Sequence, residues 1–281
     1  MKILYKNARL CVFQSALFQT NSAVINTEDA VIVVDPNWLP DEIATLKNYV
    51  AECGNKPLYL LFTHSDYDHI IGYGAFPEAV GVIASRAFVE STDKEKNLEQ
   101  IRKFDDDYYI LRDYVIVYPV VTHIIERDAQ KITIGNMELF FYLAAGHNPD
   151  GIFAVVNDVW IAGDYLCAVE FPYIYHSSIE YEKTLAKTDF ILRHHKINTL
   201  VCGHGNILMS ENAGKDIDKE ILKRKTEAMN YIHLVRASIQ TPIETPFDFE
   251  TYVKKYDFPR IMKRFHDKNV ELMKKELFYS S

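Results

Sequence analysis

The segment Thr63-His64-Ser65-Asp66-Tyr67-Asp68-His69 places four strong metal-ligating side chains, two imidazoles and two carboxylates, within six residues. Neutral imidazoles keep a bound dication electrophilic, while carboxylates offset enough of its charge to retain it. Such a group polarises a substrate oxygen and makes a bound water acidic enough to ionise near neutral pH. The segment follows an apolar run, Leu58 to Phe62, and precedes Gly72 and Gly74. A strand sends alternate side chains to opposite faces, so residues 64, 66, 68 and 69 converge only if the strand ends and the chain turns.

Three later positions repeat the design of a ligand type beside glycine at the end of an apolar run. Gly146-His147 follows Phe140 to Ala145, Gly163-Asp164 follows Val159 to Ala162, and Gly203-His204-Gly205 follows Thr199 to Cys202. Strand ends on one edge of a sandwich bring all of these to the first loop. The collected set, His64, Asp66, Asp68, His69, His147, Asp164 and His204, suffices for two metal ions. His123, His194, His195, His233 and His266 have no partner at ligand spacing and read as structural. Cys167 and Cys202 neighbour Asp164 and His204 in sequence, and read as buried packing.

The elements that must position these residues are legible from periodicity. Ser22 to Asn26 and Ala30 to Val34 form a hairpin leading to Asp35, and Pro40 to Glu52 has helical spacing of Ile43, Leu46 and Val50. Further strands are expected at Val80 to Ala84, Val115 to Val117, Lys131 to Ile134, Glu138 to Leu143, Ile152 to Val156, Val159 to Ala162 and Asn198 to Cys202. Ser85 to Asp113 reads as a solvated helical surface, and Tyr181 to His195 as a helix. From Asn212 onward the chain reads as mostly helical, interrupted at Pro242, Pro246 and Pro259.

With 281 residues, 48% of them hydrophobic, the chain can bury a large core. Its formal charge of −8 argues against nucleic acid as a partner, which needs a basic face, and favours a small-molecule substrate. The four scattered cysteines form no CxxC pair and fit reduced thiols in a cytoplasmic protein. The N-terminus offers neither a signal-peptide core nor a membrane span. The Lys-, Tyr- and Phe-rich tail reads first as cover for the core, with pocket capping or a homodimer as the alternatives.

The ordered set Asp35, His64-Ser-Asp-Tyr-Asp-His69, Gly146-His147, Asp164 and His204 resembles the motif series of the metallo-β-lactamase superfamily, over roughly residues 10 to 210. The resemblance implies an α+β fold, a four-layer αββα sandwich over residues 1–210, with a helical C-terminal extension, 211–281, packed on the same domain. It implies a first metal on His64, Asp66 and His147, a second on Asp68, His69 and His204, Asp164 between them, and Asp35 orienting a ligand from behind. It further implies a metal-dependent hydrolase using metal-bound hydroxide on a small ester, lactone, thioester or phosphodiester, with Asp68 as proton shuttle.

Position 66 departs from the family pattern, which has His there. A third carboxylate lowers the charge of the site and moves its preference from Zn²⁺, the usual ion of the family, toward iron or manganese. Two alternatives therefore stand beside the hydrolase: an iron-dependent oxidoreductase, either persulfide-dioxygenase-like on His64, His147 and Asp164 or di-iron, and a non-catalytic metal-binding module. The turn Gly146-His-Asn-Pro-Asp-Gly151 also differs from the usual one in Asn148 and Asp150. The loop from Tyr165 to His176 offers Glu170, Tyr173, Tyr175 and His176 as pocket groups.

Overall fold

Several strand sequences are apolar at every position, such as Val31-Ile32-Val33-Val34, and strands of that kind need cover on both faces. The computed structural model, which describes residues 1–211, 216–241, 247–256 and 262–278, supplies it with four layers. One sheet carries β1 (Lys2–Lys6), β2 (Leu10–Gln14), β3 (Asn21–Asn26), β4 (Val31–Val34), β5 (Leu58–Leu61), β6 (Gly81–Ser85) and β7 (His123–Ile125), in chain order. The other carries β8 (Gln130–Ile134), β9 (Met137–Leu143), β10 (Ile152–Val156), β11 (Val159–Gly163), β12 (Thr199–Cys202) and β13 (Leu208–Met209), again without a swap.

Alternation sorts each strand between two cores. Ile32 and Val34 join Leu61, Leu139, Phe141, Ala154 and Ile161 between the sheets. Val31 and Val33 face outward, where Ile43 and Leu46 of α1 (Pro40–Glu52) and Leu98 and Ile101 of α4 (Lys94–Asp107) cover them. On the far side, Phe153, Val155 and Trp160 pack under Leu185 and Ile191 of α5 (Ser178–His194) and Tyr231 and Ile232 of α6 (Ile217–Gln240). The same core takes in Phe249 and Val253 of α7 (Phe249–Tyr256) and Met273 of α8 (Met262–Phe278). Two short helices, α2 (Tyr67–Ile70) and α3 (Arg86–Glu90), and a 3-10 turn at Tyr73–Ala75 complete the described elements.

Chain direction sets where the site must lie. Strands β4, β5, β6 and β7 pair in parallel, and β11 pairs in parallel with β12 across the α5 crossover. Parallel strands deliver their carboxyl ends to one edge, where ligands of α/β sheets gather. Asp35, Thr63, Asp164 and Gly203 each come immediately, or within two residues, after such an end. No helix among the described residues is long and apolar enough to cross a membrane.

One expected strand is corrected. Val115 to Val117 keeps the alternation of a strand, Tyr114, Ile116 and Tyr118 packing inward and Val115 and Val117 exposed, yet it joins no ladder. The edge beside β6 is taken by β7, so this segment has the pattern of a strand without a neighbour. The solvated reading of Ser85 to Asp113 is also too plain: Asn97 is buried and donates its amide to Ser65 O at 2.6 Å. The expected breaks at Pro242, Pro246 and Pro259 lie outside the described residues.

Phe141, fully buried between the sheets, should on substitution by Ala cost about 3–5 kcal/mol of stability, read as a lower urea midpoint at unchanged slope. Val115→Thr, on the exposed face of the unpaired segment, should shift stability by less than about 0.5 kcal/mol. A large loss at Val115 would contradict the unpaired, outward-facing geometry.

Candidate metal centre

The centre is built outward from Asp35. Parallel pairing of β4 with β5 sets Asp35 beside Thr63, and the Asp35 amide donates to Leu61 O at 3.0 Å. Its carboxylate accepts the Thr63 amide at 2.8 Å, the Thr63 hydroxyl at 2.5 Å and the His69 Nδ1–H at 3.0 Å. The Thr63 hydroxyl, having given its proton to Asp35, can accept from His64 Nδ1 at 2.9 Å. One buried carboxylate therefore sets the tautomer of two imidazoles. Asp35 does this from a left-handed backbone, φ 43°, which a residue with a Cβ adopts only when its surroundings hold it there.

The other two imidazoles are fixed in the same way. His147 Nδ1 donates to Tyr173 O at 2.6 Å, and the His147 amide donates to the Tyr165 hydroxyl at 3.0 Å. His204 Nδ1 donates to Phe18 O at 2.9 Å. Its loop is laced to the first sheet: Asn21 N–H donates to Gly203 O, and the Asn21 amide reaches Cys202 O and Gly205 O. Glycine is required at two of these turns. A Cβ on Gly146, at φ 129°, would sit 2.3 Å from the Tyr181 backbone, and one on Gly203 would sit 2.0 Å from Asp164 Oδ1.

With every Nδ1 engaged outside, every Nε2 points inward, and the atoms they meet are carboxylate oxygens. Asp164 is central, with Oδ2 3.7 Å from His64, 3.3 Å from His147 and 3.3 Å from His204, and Oδ1 3.3 Å from His69. Asp66 Oδ2 lies 3.2 Å from His147 Nε2 and 3.7 Å from His64 Nε2, while Asp68 Oδ2 lies 3.7 Å from His69 Nε2 and 3.6 Å from His204 Nε2. All seven ligand types expected from the sequence are thus brought together. His64, Asp66 and His147 form one group whose ligand atoms lie within 4.8 Å of each other, and Asp68, His69 and His204 form another.

The donor set fits divalent cations. Among the described residues, His64 Nε2, His69 Nε2 and Asp164 Oδ1 are buried and make no hydrogen bond, an arrangement that costs free energy unless a cation uses those lone pairs. Charge points the same way. Burial alone would depress the imidazoles, but Asp66 and Asp164 hold His147 up at about 9, and Asp164 and Glu170 hold His204 at about 10. His69 is likewise raised well above its ordinary value by Asp164 and Asp68, again against burial. Burial also disfavours charge on Asp66 and Asp164, yet the surrounding histidines keep both well below the usual carboxylate range.

The structure settles the place of several further residues. Asp150 is buried and clamps the first loop, accepting the Ser65 amide at 3.0 Å and its hydroxyl at 2.5 Å. Glu170 comes within ligand distance of Asp164 and His204, a fourth carboxylate beside the cluster. Burial and Asp164 push its carboxyl upward against the pull of His204. Tyr175 donates its phenol to Asp66 Oδ1, and Asn148 Nδ2 approaches the same oxygen at 3.4 Å. Tyr173 contributes its carbonyl to His147, whereas His176 is exposed and outside these groups. Cys202 donates to Leu166 O at 3.1 Å, and all four cysteines are free thiols. His195 and His266 bond to Tyr142 and Tyr231, away from the centre.

Two outcomes follow. Below about pH 9 the His147 ring carries a proton, and below about pH 10 so does that of His204, so an incoming cation must displace them. With His69 also raised well above its ordinary value, metal added at pH 7.5 to chelator-treated protein should release on the order of three protons per chain, seen as a buffer-dependent binding enthalpy. Apparent affinity should rise with pH and level off above those values. Asp35→Asn should weaken metal retention by about 10–100-fold in a chelator competition; unchanged retention would contradict its orienting role.

A profile of the metallo-beta-lactamase superfamily matches residues 16–204, more than half of the chain. The probable metallo-hydrolase YqgX of Bacillus subtilis (strain 168) is 26% identical over 150 residues, covering 53% of this chain and 66% of that protein. A metallo-beta-lactamase family protein from Thermus thermophilus superposes with a TM-score of 0.61 at 16% identity, over 95% of this chain and 92% of that one. The sec-alkylsulfatase Pisa1 from Pseudomonas sp. reaches a TM-score of 0.66 at 13% identity, over 99% of this chain and 50% of the sulfatase, so this chain spans half its length. At these identities the solved structures speak for the fold alone. Profile, fold and the order of the strand-end histidines and aspartates agree, and this chain belongs to the metallo-beta-lactamase superfamily.

Proposed function

We propose that this protein is a metal-dependent hydrolase acting on a small ester, lactone, thioester or phosphodiester. The observation that carries the reading is the convergence of four inward Nε2 atoms on the carboxylates of Asp66, Asp68 and Asp164. His64, Asp66 and His147 would hold one cation, Asp68, His69 and His204 a second, and Asp164 would serve both. Bound there, two dications would supply a Lewis acid for the substrate oxygen and make the attacking water more acidic.

The chain's own residues have distinct tasks in that reaction. Asp68, whose Oδ2 faces His69 and His204, would take a proton from the attacking water and pass it to the leaving group. Asp35 and the Tyr173 carbonyl hold His69 and His147 in the tautomer that keeps Nε2 free. Beside Asp164 a cavity is lined by Cys167, Glu170, Phe171, Arg224 and Tyr252. The net charge of −8 supports a small substrate over a polyanion.

A second reading, an iron-dependent oxidoreductase, is favoured by one observation: Asp66 and Glu170 enrich the cluster in hard oxygen donors.

Elemental analysis of protein purified without added metal or chelator separates the readings. The hydrolase should carry about two zinc or manganese ions per chain, lose ester or phosphodiester turnover on chelation, and regain it on reloading. About one iron per chain with oxygen uptake would move the assignment to the oxidoreductase. No stoichiometric metal would sink both.

A further inference from the structure

The unusual residue of the cluster, Asp66, has surroundings matched to a carboxylate. Its Oδ2 faces His147 and His64, while Oδ1 turns away and receives two donors, the Tyr175 phenol and the Asn148 amide at 3.4 Å. Both donors are held from behind. Asn148 Oδ1 accepts the Asp150 amide at 3.1 Å, which directs the NH₂ end toward Asp66. Tyr175 donates its own amide to His147 O at 3.1 Å, and its ring lies edge-on to His147 at 5.0 Å and against Tyr173 at 5.3 Å. The phenol therefore has a fixed reach, set by the same residue whose Nε2 faces Asp66 Oδ2.

We propose that Tyr175 is a positioning residue which, with Asn148, holds Asp66 as a one-oxygen ligand and makes the His64–Asp66–His147 subsite a hard-donor subsite that rejects histidine at position 66. The proposal rests on the metal reading of the cluster. Two donors on Oδ1 leave Oδ2 as the oxygen free for a cation. An imidazole at this position, using one nitrogen toward a cation, carries N–H on the other. That N–H would face the Asn148 NH₂, which cannot accept, and the Tyr175 hydroxyl could accept it only by turning its own proton away. A carboxylate meets the same pair with lone pairs. Asp66 is thus a ligand with its own support, and the support is chemically specific.

The test is a double-mutant cycle on metal binding, needing no substrate. Zinc and manganese affinities of both subsites are measured by chelator competition and calorimetry in wild type, Tyr175→Phe, Asp66→His and the double variant. Tyr175 is 38% exposed, so Phe should leave folding intact, which a thermal melt checks. Tyr175→Phe is expected to weaken one of the two sites by about tenfold and leave the other within about twofold. Asp66→His alone should bind zinc more weakly than wild type, and adding Tyr175→Phe should change that variant by less than about twofold, because the oxygen that Tyr175 holds is gone, so the two effects are non-additive. Wild type with two metals and Tyr175→Phe unchanged at both sites, or strictly multiplicative effects, would overturn the proposal while sparing the metal reading. A wild type that binds no metal overturns both.

Discussion

Imidazole has two nitrogens, and the organisation of this edge of the protein follows from committing one of them. At each of the four histidines the Nδ1 side is held by a group that belongs to the scaffold: Asp35 for His69, Thr63 for His64, and the carbonyls of Tyr173 and Phe18 for His147 and His204. What remains is a set of Nε2 atoms whose directions are determined by these fixed partners rather than by rotamer freedom. Metal-ligating histidines depend on such outer partners for orientation and basicity, and here the partners come from both sheets and the loops between them.

Asp35 shows how closely the fold and the centre are joined. Its position follows from parallel strand pairing, its backbone is left-handed, and its carboxylate is shared between Thr63 and His69. Strain of this kind persists only where the neighbourhood over-determines a residue. Asp150 performs the matching task on the other side, binding Ser65 through both carboxylate oxygens while the Ser85 hydroxyl holds its carbonyl. The first ligand loop is therefore gripped at Thr63 and Ser65, the residues on either side of His64.

The ligands were legible in the sequence because their chemistry is uncommon and their placement regular: His147, Asp164 and His204 each follow an apolar run and a glycine. The layers were legible because fully apolar strands demand cover on both faces. Their supports were not. Asp150 read only as a departure from the usual turn, and Asn97 as part of a solvated helix, because the partner of each lies 85 and 32 residues away. Tyr175 and Glu170 stood in a loop whose course no periodicity determines. Val115 to Val117 shows the converse limit: alternation records burial on one face, and says nothing about whether a neighbouring strand exists.

The stitching of the His204 loop to the first sheet has a consequence for assembly. Thr20 and His204 form a β-bridge across 184 residues of chain, and Asn21 fastens Gly203 beside it. Contacts of such separation close only after much chain entropy has been surrendered. A cation bound by Asp68, His69 and His204 would therefore act as a clasp on the completed sandwich, recognising the native arrangement of both sheets and drawing the folding equilibrium toward it by mass action. Its ligands come from both sheets, Asp68 and His69 from one and His204 from the other, so only their union closes it.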